Sequence, residues 1–173
     1  MKTFLFLLTC LLTGSFIQQA PEPVRFQIRN AGFKVDGTFT GWEADIHYDE
    51  QNPERSTFQG VVRVASINTG IQLRDKHLKG PSYFDAETYP EIRIKSKKVQ
   101  ILADGSLQVS CSLTIRNKSQ DIMIPVRLIR KTNTLLFETE FSINRRDYGV
   151  GGNSLVLSDD VRISVRKEVA FVN

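Results

Sequence analysis

From residue 24 onward, apolar and polar residues alternate with a period of two in one run after another. Val24, Phe26 and Ile28 stand against Arg25, Gln27 and Arg29, and Trp42, Ala44, Ile46 and Tyr48 against Glu43, Asp45, His47 and Asp49. The pattern returns over residues 58–64, 92–94, 107–115, 122–128, 135–143 and 161–165. One apolar and one charged face at this spacing predicts antiparallel strands whose polar side meets water. The punctuation agrees. Asp104-Gly105 is a hairpin signal, and Glu50-Gln51-Asn52-Pro53 and Lys131-Thr132-Asn133 read as turns. Pro125, inside a strand pattern, predicts an edge, a bulge or a kink. Only residues 70–79 have room for a helix, of one or two turns. Eight strands and almost no helix leave two architectures, a two-sheet sandwich or a closed barrel.

Composition supports strands. After residue 20, Val, Ile and Thr number 36 against 16 for Ala and Leu together, and β-branched side chains favour the pleated surface. At 173 residues, 40% hydrophobic and 24% charged, the chain is of ordinary globular make-up. The net charge of +4 is spread along the chain without a basic block, which gives no footing for nucleic acid. Two cysteines, Cys10 and Cys111, exclude a zinc ribbon and a disulfide scaffold, and two histidines, His47 and His77, leave little room for a histidine-rich metal site.

Residues 1–20 are patterned differently. Lys2 supplies a positive start, residues 4–12 are almost continuously apolar, and Thr13-Gly14-Ser15 supplies small residues before Gln18-Gln19-Ala20. This order predicts a secretory signal peptide over 1–20, cleaved after Ser15 or Ala20, ahead of one domain over 21–173. The run is too short to span a bilayer. Thr9 is wrong for a lipoprotein box at Cys10. The expected location is periplasmic or secreted. Cys10 then leaves with the leader, Lys2 takes the charge to +3, and Cys111 remains alone on the register Leu107, Val109, Cys111, Leu113, Ile115. That parity predicts a buried, inward-facing thiol.

Four stretches carry a family resemblance. They are Ala65-Ser66-Ile67-Asn68-Thr69-Gly70, Arg74-Asp75-Lys76-His77-Leu78, Tyr83-Phe84-Asp85 and Tyr89-Pro90-Glu91-Ile92. Together they resemble the spaced signature of the YceI-like family. Gly-Phe-x-Val-x-Gly-x-Phe at 32–39 and Asn144-Arg145-Arg146-Asp147-Tyr148-Gly149-Val150-Gly151 are similar to further family stretches. The resemblance runs from about residue 24 to 172. One departure is Arg116-Asn117, where family members often carry Arg-Gly, which puts that turn's geometry in question.

The resemblance implies an all-β fold, an eight-stranded antiparallel lipocalin-like barrel with a short helical segment near residues 70–79. It further implies export and an elongated apolar pocket for a polyisoprenoid or similar long-chain lipid, with no cofactor and no established enzymatic activity; no metal is expected from the composition. A homodimer is left open. Candidates for lining are Phe39, Trp42, Ile46, Val62, Phe84, Cys111, Leu113, Phe137, Phe141 and Val165, residues that would equally make a solid core. Arg74, His77, Asn144 and Arg145 are candidates for a polar head group. The competing reading has Asp75 pinning its loop by pairing with backbone or a basic neighbour. Two rivals remain. One is a protein-interaction module with a filled barrel. The other is a hydrolase built on Ser66, Asp75 and His77, for which the chain has no nucleophile elbow. Asp159 and Asp160 are adjacent, so on a strand they face opposite sides.

Overall fold

The computed structural model describes residues 22–170, so the predicted leader, its cleavage site and Cys10 lie outside the described residues. The alternating runs form strands: β1 (Val24–Asn30), β2 (Phe33–Phe39), β3 (Trp42–His47), β4 (Thr57–Arg63), β5 (Ile67–Asn68), β6 (Glu91–Ile101), β7 (Leu107–Ile115), β8 (Lys118–Arg130), β9 (Thr134–Asn144) and β10 (Leu157–Ala170). The one α-helix among the described residues, α1, spans Gln72–Lys79.

The segments number ten where the sequence predicts eight, because two strands are broken. The pairing order is β3-β4-β6-β7-β8-β9-β10-β1-β2-β5, antiparallel throughout. Its two ends are halves of a single bent hairpin. β2 runs into β3 through Thr40 and Gly41, and β4 runs into β5 through a 3-10 turn at Val64–Ser66. Backbone bonds carry the ladder across the bend, from Arg63 N–H to Gly41 O (2.8 Å) and from Thr40 N–H to Ser66 O (3.5 Å). A side chain at Gly41 would meet Ser66 Cβ at 3.0 Å, so the bend needs glycine there. The ten segments thus make eight strand courses, and the sheet curls until its ends belong to one hairpin.

Pro125 marks an interruption in this wall. β8 pairs with β7 from Lys118 to Val126, but with β9 only from Arg127 to Arg130. Proline has no N–H to donate, so the β8–β9 ladder stops where Pro125 stands. The Asp104-Gly105 and Lys131–Asn133 turns form as predicted, while the turn at 50–53 continues into a short 3-10 segment, Pro53–Arg55.

Parity sets the two faces. Along β7, Leu107, Val109, Cys111, Leu113 and Ile115 are buried while Gln108, Ser110, Ser112 and Thr114 between them are half-buried. One end of the barrel carries the short β6–β7 and β8–β9 turns and is filled. Val99, Leu107, Val109, Ile124, Val126 and Phe137 form a cluster there, and Tyr48 and Phe58 each meet the Phe137 ring edge-on at 5.8 Å. The other end carries the β1–β2 turn, the connection containing α1, the Arg116–Asn117 turn and the 145–156 connection.

Candidate functional site

Between the filled end and the helix end the barrel encloses a cavity of about 560 Å³. Its wall is overwhelmingly apolar. All ten predicted lining residues border it: Phe39, Trp42, Ile46, Val62, Phe84, Cys111, Leu113, Phe137, Phe141 and Val165. Phe26, Phe58, Ile94 and Ile163 join them from the same registers. The interior is therefore partly core and partly wall. Leu107 and Val109 pack away from the cavity at the filled end, while Cys111 and Leu113 face it.

Local structure explains how the aromatics arrive. Phe39 at the end of β2 meets Phe26 at 5.4 Å and Phe84 edge-on at 5.9 Å. Phe84 comes from the chain after α1, where its N–H donates to Leu78 O (3.0 Å) and turns the ring inward. Trp42 is buried, and its indole N–H donates to Glu22 O at 2.7 Å, the partner a buried indole requires.

The opening lies at the helix end, where the cavity reaches exposed residues: Asn30 of β1, Ile71 and Leu73 around the start of α1, and His77. Arg74 also borders the cavity, but its guanidinium is engaged. Nε donates to Thr69 Oγ1 (2.8 Å) and Nη2 to Thr69 O (2.7 Å), while Asp75 accepts from Thr69 N–H (2.9 Å) and Thr69 Oγ1 (2.5 Å). Asp75 thus pairs with backbone, as the structural alternative foresaw. Arg74 and Asp75 fold the loop onto α1 rather than pairing with each other.

Arg145 and Asn144 differ most from the sequence expectation. Arg145 is 3% exposed and all five of its N–H donors are taken. Nε donates to Ser158 O, Nη1 to Val150 O and Gly152 O, and Nη2 to Leu157 O and Asp159 Oδ1, at 2.7–3.2 Å. No donor is left for a head group; the residue holds the 149–159 segment shut. Gly151 completes the fit, since at φ 72° a Cβ there would meet Tyr83 and Arg145 Nη1. Asn144 does not border the cavity. Its side chain accepts from Arg146 N–H (2.9 Å) and caps the following 3-10 turn.

Arg116 performs a related task. It takes φ 57° in the tight β7–β8 turn, where glycine would be relaxed. Its Nη1 donates to Tyr83 O (3.1 Å) and Gly149 O (2.9 Å), and its guanidinium lies over the Tyr89 ring. These bonds hold the strained turn and tie three connections together at the closed side of the helix end.

Two polar groups on the wall escaped the sequence reading. Lys167 continues the inward register of Val161, Ile163 and Val165 on β10. It borders the cavity half-buried, with its ammonium over the Trp42 ring at 5.8 Å and no carboxylate in an ion pair with it among the described residues. On neighbouring β9, Thr139 stands opposite Val165, and its buried hydroxyl has no hydrogen-bond partner in the protein. Ser66, Asp75 and His77 do not assemble a triad, since Ser66 Oγ donates to Arg63 O (2.6 Å) and Asp75 is held by Thr69. Asp159 binds Arg145 and Arg146, while Asp160 is exposed. No cluster of three metal-ligating side chains exists among the described residues.

Cys111 is 1% exposed, and burial pushes its thiol up to about 11. At pH 8 only about one thiol in a thousand is then the reactive thiolate. Alkylation of native protein should be slow at that pH, slower still with a ligand in the cavity, and fast in denaturant. Rapid labelling of folded protein would put the β7 register out by one residue.

The YceI-like domain family matches residues 17–169. A UPF0312 protein of Photorhabdus laumondii is 29% identical over 107 residues, 61% of this chain and 55% of that protein, so the match covers little more than half of that relative's length. BcnA of Burkholderia cenocepacia superposes with a TM-score of 0.82 at 22% identity, over 86% of this chain and 96% of BcnA. A polyisoprenoid binding domain from Saccharophagus degradans, implicated in plant cell wall breakdown, superposes at 0.65 with 16% identity, over 86% of this chain and 93% of that domain. At those identities the two structures are alike in fold.

Proposed function

The chain belongs to the YceI-like domain family, and from that premise we propose that it binds one long-chain apolar lipid, a polyisoprenoid or a similar chain, inside the barrel. The observation that carries this reading is the apolar cavity closed at one end and open at the other. The polyisoprenoid binding domain of Saccharophagus degradans, which shares the fold, supports the same ligand class. At about 30 Å³ for each water-sized group, the size class a methylene also falls in, 560 Å³ holds roughly twenty of them. Burial of each is worth about 0.8 kcal/mol before ordering and association reduce the sum. A barrel filled by its own core, the interaction-module alternative, leaves no such space. Export to the periplasm or beyond belongs to the same proposal and rests on residues 1–20.

The polar end of the ligand has two places to go. His77 stands exposed at the mouth, and Lys167 with Thr139 stands on the inner wall. Because Arg74 is spent on Thr69, the proposal assigns an anionic head group to Lys167. Lys167→Met should weaken a carboxylate- or phosphate-bearing chain by about 1.5–3 kcal/mol and leave a neutral chain of equal length nearly unchanged. Arg74→Ala should lower the melting temperature and weaken both chains alike. Titrating both ligands against both variants decides it: selective loss of the anionic chain in Arg74→Ala places the head at the mouth instead.

A further inference from the structure

The mouth is ringed by apolar side chains that nothing in the fold covers. Among the described residues, eight large hydrophobics are exposed, and five of them gather at this end: Phe33, Ile71, Leu73, Leu155 and Val156, between 52% and 106% exposed. The other three are scattered, with Ile101 and Leu102 at the filled end and Met123 on the outer wall. Three separate segments build the ring. Phe33 begins β2 just past the Ala31–Gly32 turn, and Ala31 N–H donates to Val156 O at 2.7 Å, which fixes the 155–156 tip beside that turn. Ile71 and Leu73 lie across the opening, bordering the same cavity as Ile28, Asn30 and Val35.

Charge follows the same geography. Arg29 and Lys34 are paired directly opposite each other on the outer face of the turn, an arrangement that repels, and both are exposed. Lys76 is exposed on α1. None of the three is in an ion pair among the described residues; the carboxylates of the same elements, Asp36 and Asp75, accept from the neutral donors of Gln27 and Thr69 and keep their charge. Apolar tips flanked by unpaired cations suit an interface between lipid headgroups and acyl chains, where negative charge draws the cations and hydrocarbon takes the tips. A flat protein partner would meet a ring with a hole at its centre. A bilayer would meet the hole with the one kind of molecule the cavity holds.

We infer that this rim docks the barrel mouth-down on an anionic lipid surface, so that a lipid chain passes between bilayer and cavity without crossing water. The inference rests on the reading of the cavity as a lipid site, and the experiment separates the two. Purified protein is floated with vesicles of phosphatidylcholine containing one-third phosphatidylglycerol, and with pure phosphatidylcholine. The variants are Phe33→Ser with Leu155→Ser, which strips exposed apolar tips, and Lys34→Glu with Lys76→Glu, which reverses exposed charge. All are tested as the exported protein with the predicted leader removed, so that its apolar run does not itself bind vesicles.

Wild type should bind the anionic vesicles and bind the neutral ones about tenfold more weakly, with the difference shrinking at high salt. Each double variant should lose about tenfold on anionic vesicles while melting like the wild type. Each should also keep its affinity for a fluorescent polyene fatty acid delivered from ethanol without vesicles. A wild type that ignores anionic vesicles, or variants that bind them undiminished, overturns the docking surface and leaves the rim to a protein partner. Vesicle binding that depends on the rim, with no uptake of the fatty acid, keeps the docking surface and removes the cavity's assignment instead.

Discussion

Replacing Arg145 by alanine should cost the fold about 3–5 kcal/mol, the range for breaking a buried ion pair and stranding its partners. Four buried or half-buried carbonyls, of Val150, Gly152, Leu157 and Ser158, would lose their donor together with Asp159. That is a large share of the 5–15 kcal/mol that usually holds a domain together. The melting temperature should drop by about 10 °C or more. Arg145→Lys should recover little, because an ammonium offers three donors from one point where five are spread over a planar fork. Arg146→Ala, which removes the exposed member bonded to the same carboxylate, should cost less than about 1 kcal/mol. Calorimetry on the three variants checks this ordering. A stable Arg145→Ala that fails only in ligand binding would return the residue to the head-group role its motif suggested.

The second large effect is expected at Phe141. It sits on the inward face of β9, opposite Ile163 and beside the cavity, in contact with the clusters on both sides. Phe141→Asp would place an unpaired carboxylate against the hydrocarbon of any bound chain. The cost should be about 3 kcal/mol or more, over a hundredfold in affinity, for charged and neutral lipids alike. Loss of fold could imitate this result, so Phe141→Ala serves as its partner. That variant enlarges the cavity without adding charge, and it should keep most of the binding while melting somewhat lower. Isothermal titration with one neutral long-chain alcohol, paired with thermal melts, separates them. Full affinity in a folded Phe141→Asp would mean the chain does not lie along this wall.

Much of this was legible in period two alone. The inward parity of β7, β9 and β10 placed Cys111, Phe141 and Val165 on the cavity, because alternation is a geometric property of an extended chain. The same parity, carried two residues further on β10, would have found Lys167; reading only apolar members of the register hid it. Breaks in strands were not legible. Gly41 and Ser66 are 25 positions apart in sequence, and the bend comes from their contact in space. Arg145 was misassigned for a related reason. Its motif singles it out, but its five acceptors are the Asp159 carboxylate and four backbone carbonyls, two in the 145–156 connection and two at the start of β10, brought together by a path no local pattern announces. Arg116 shows the converse, where an unfavourable turn residue survives because distant carbonyls at Tyr83 and Gly149 hold its side chain.

The most direct test of the cavity's assignment is native mass spectrometry of the protein purified without detergent, followed by organic extraction of whatever it carries. The account predicts one lipid per barrel, with an unbroken apolar chain of roughly twenty carbons or more, released on unfolding and retaken by the emptied protein. A barrel that carries nothing, and takes up no long-chain lipid when one is supplied, would contradict it.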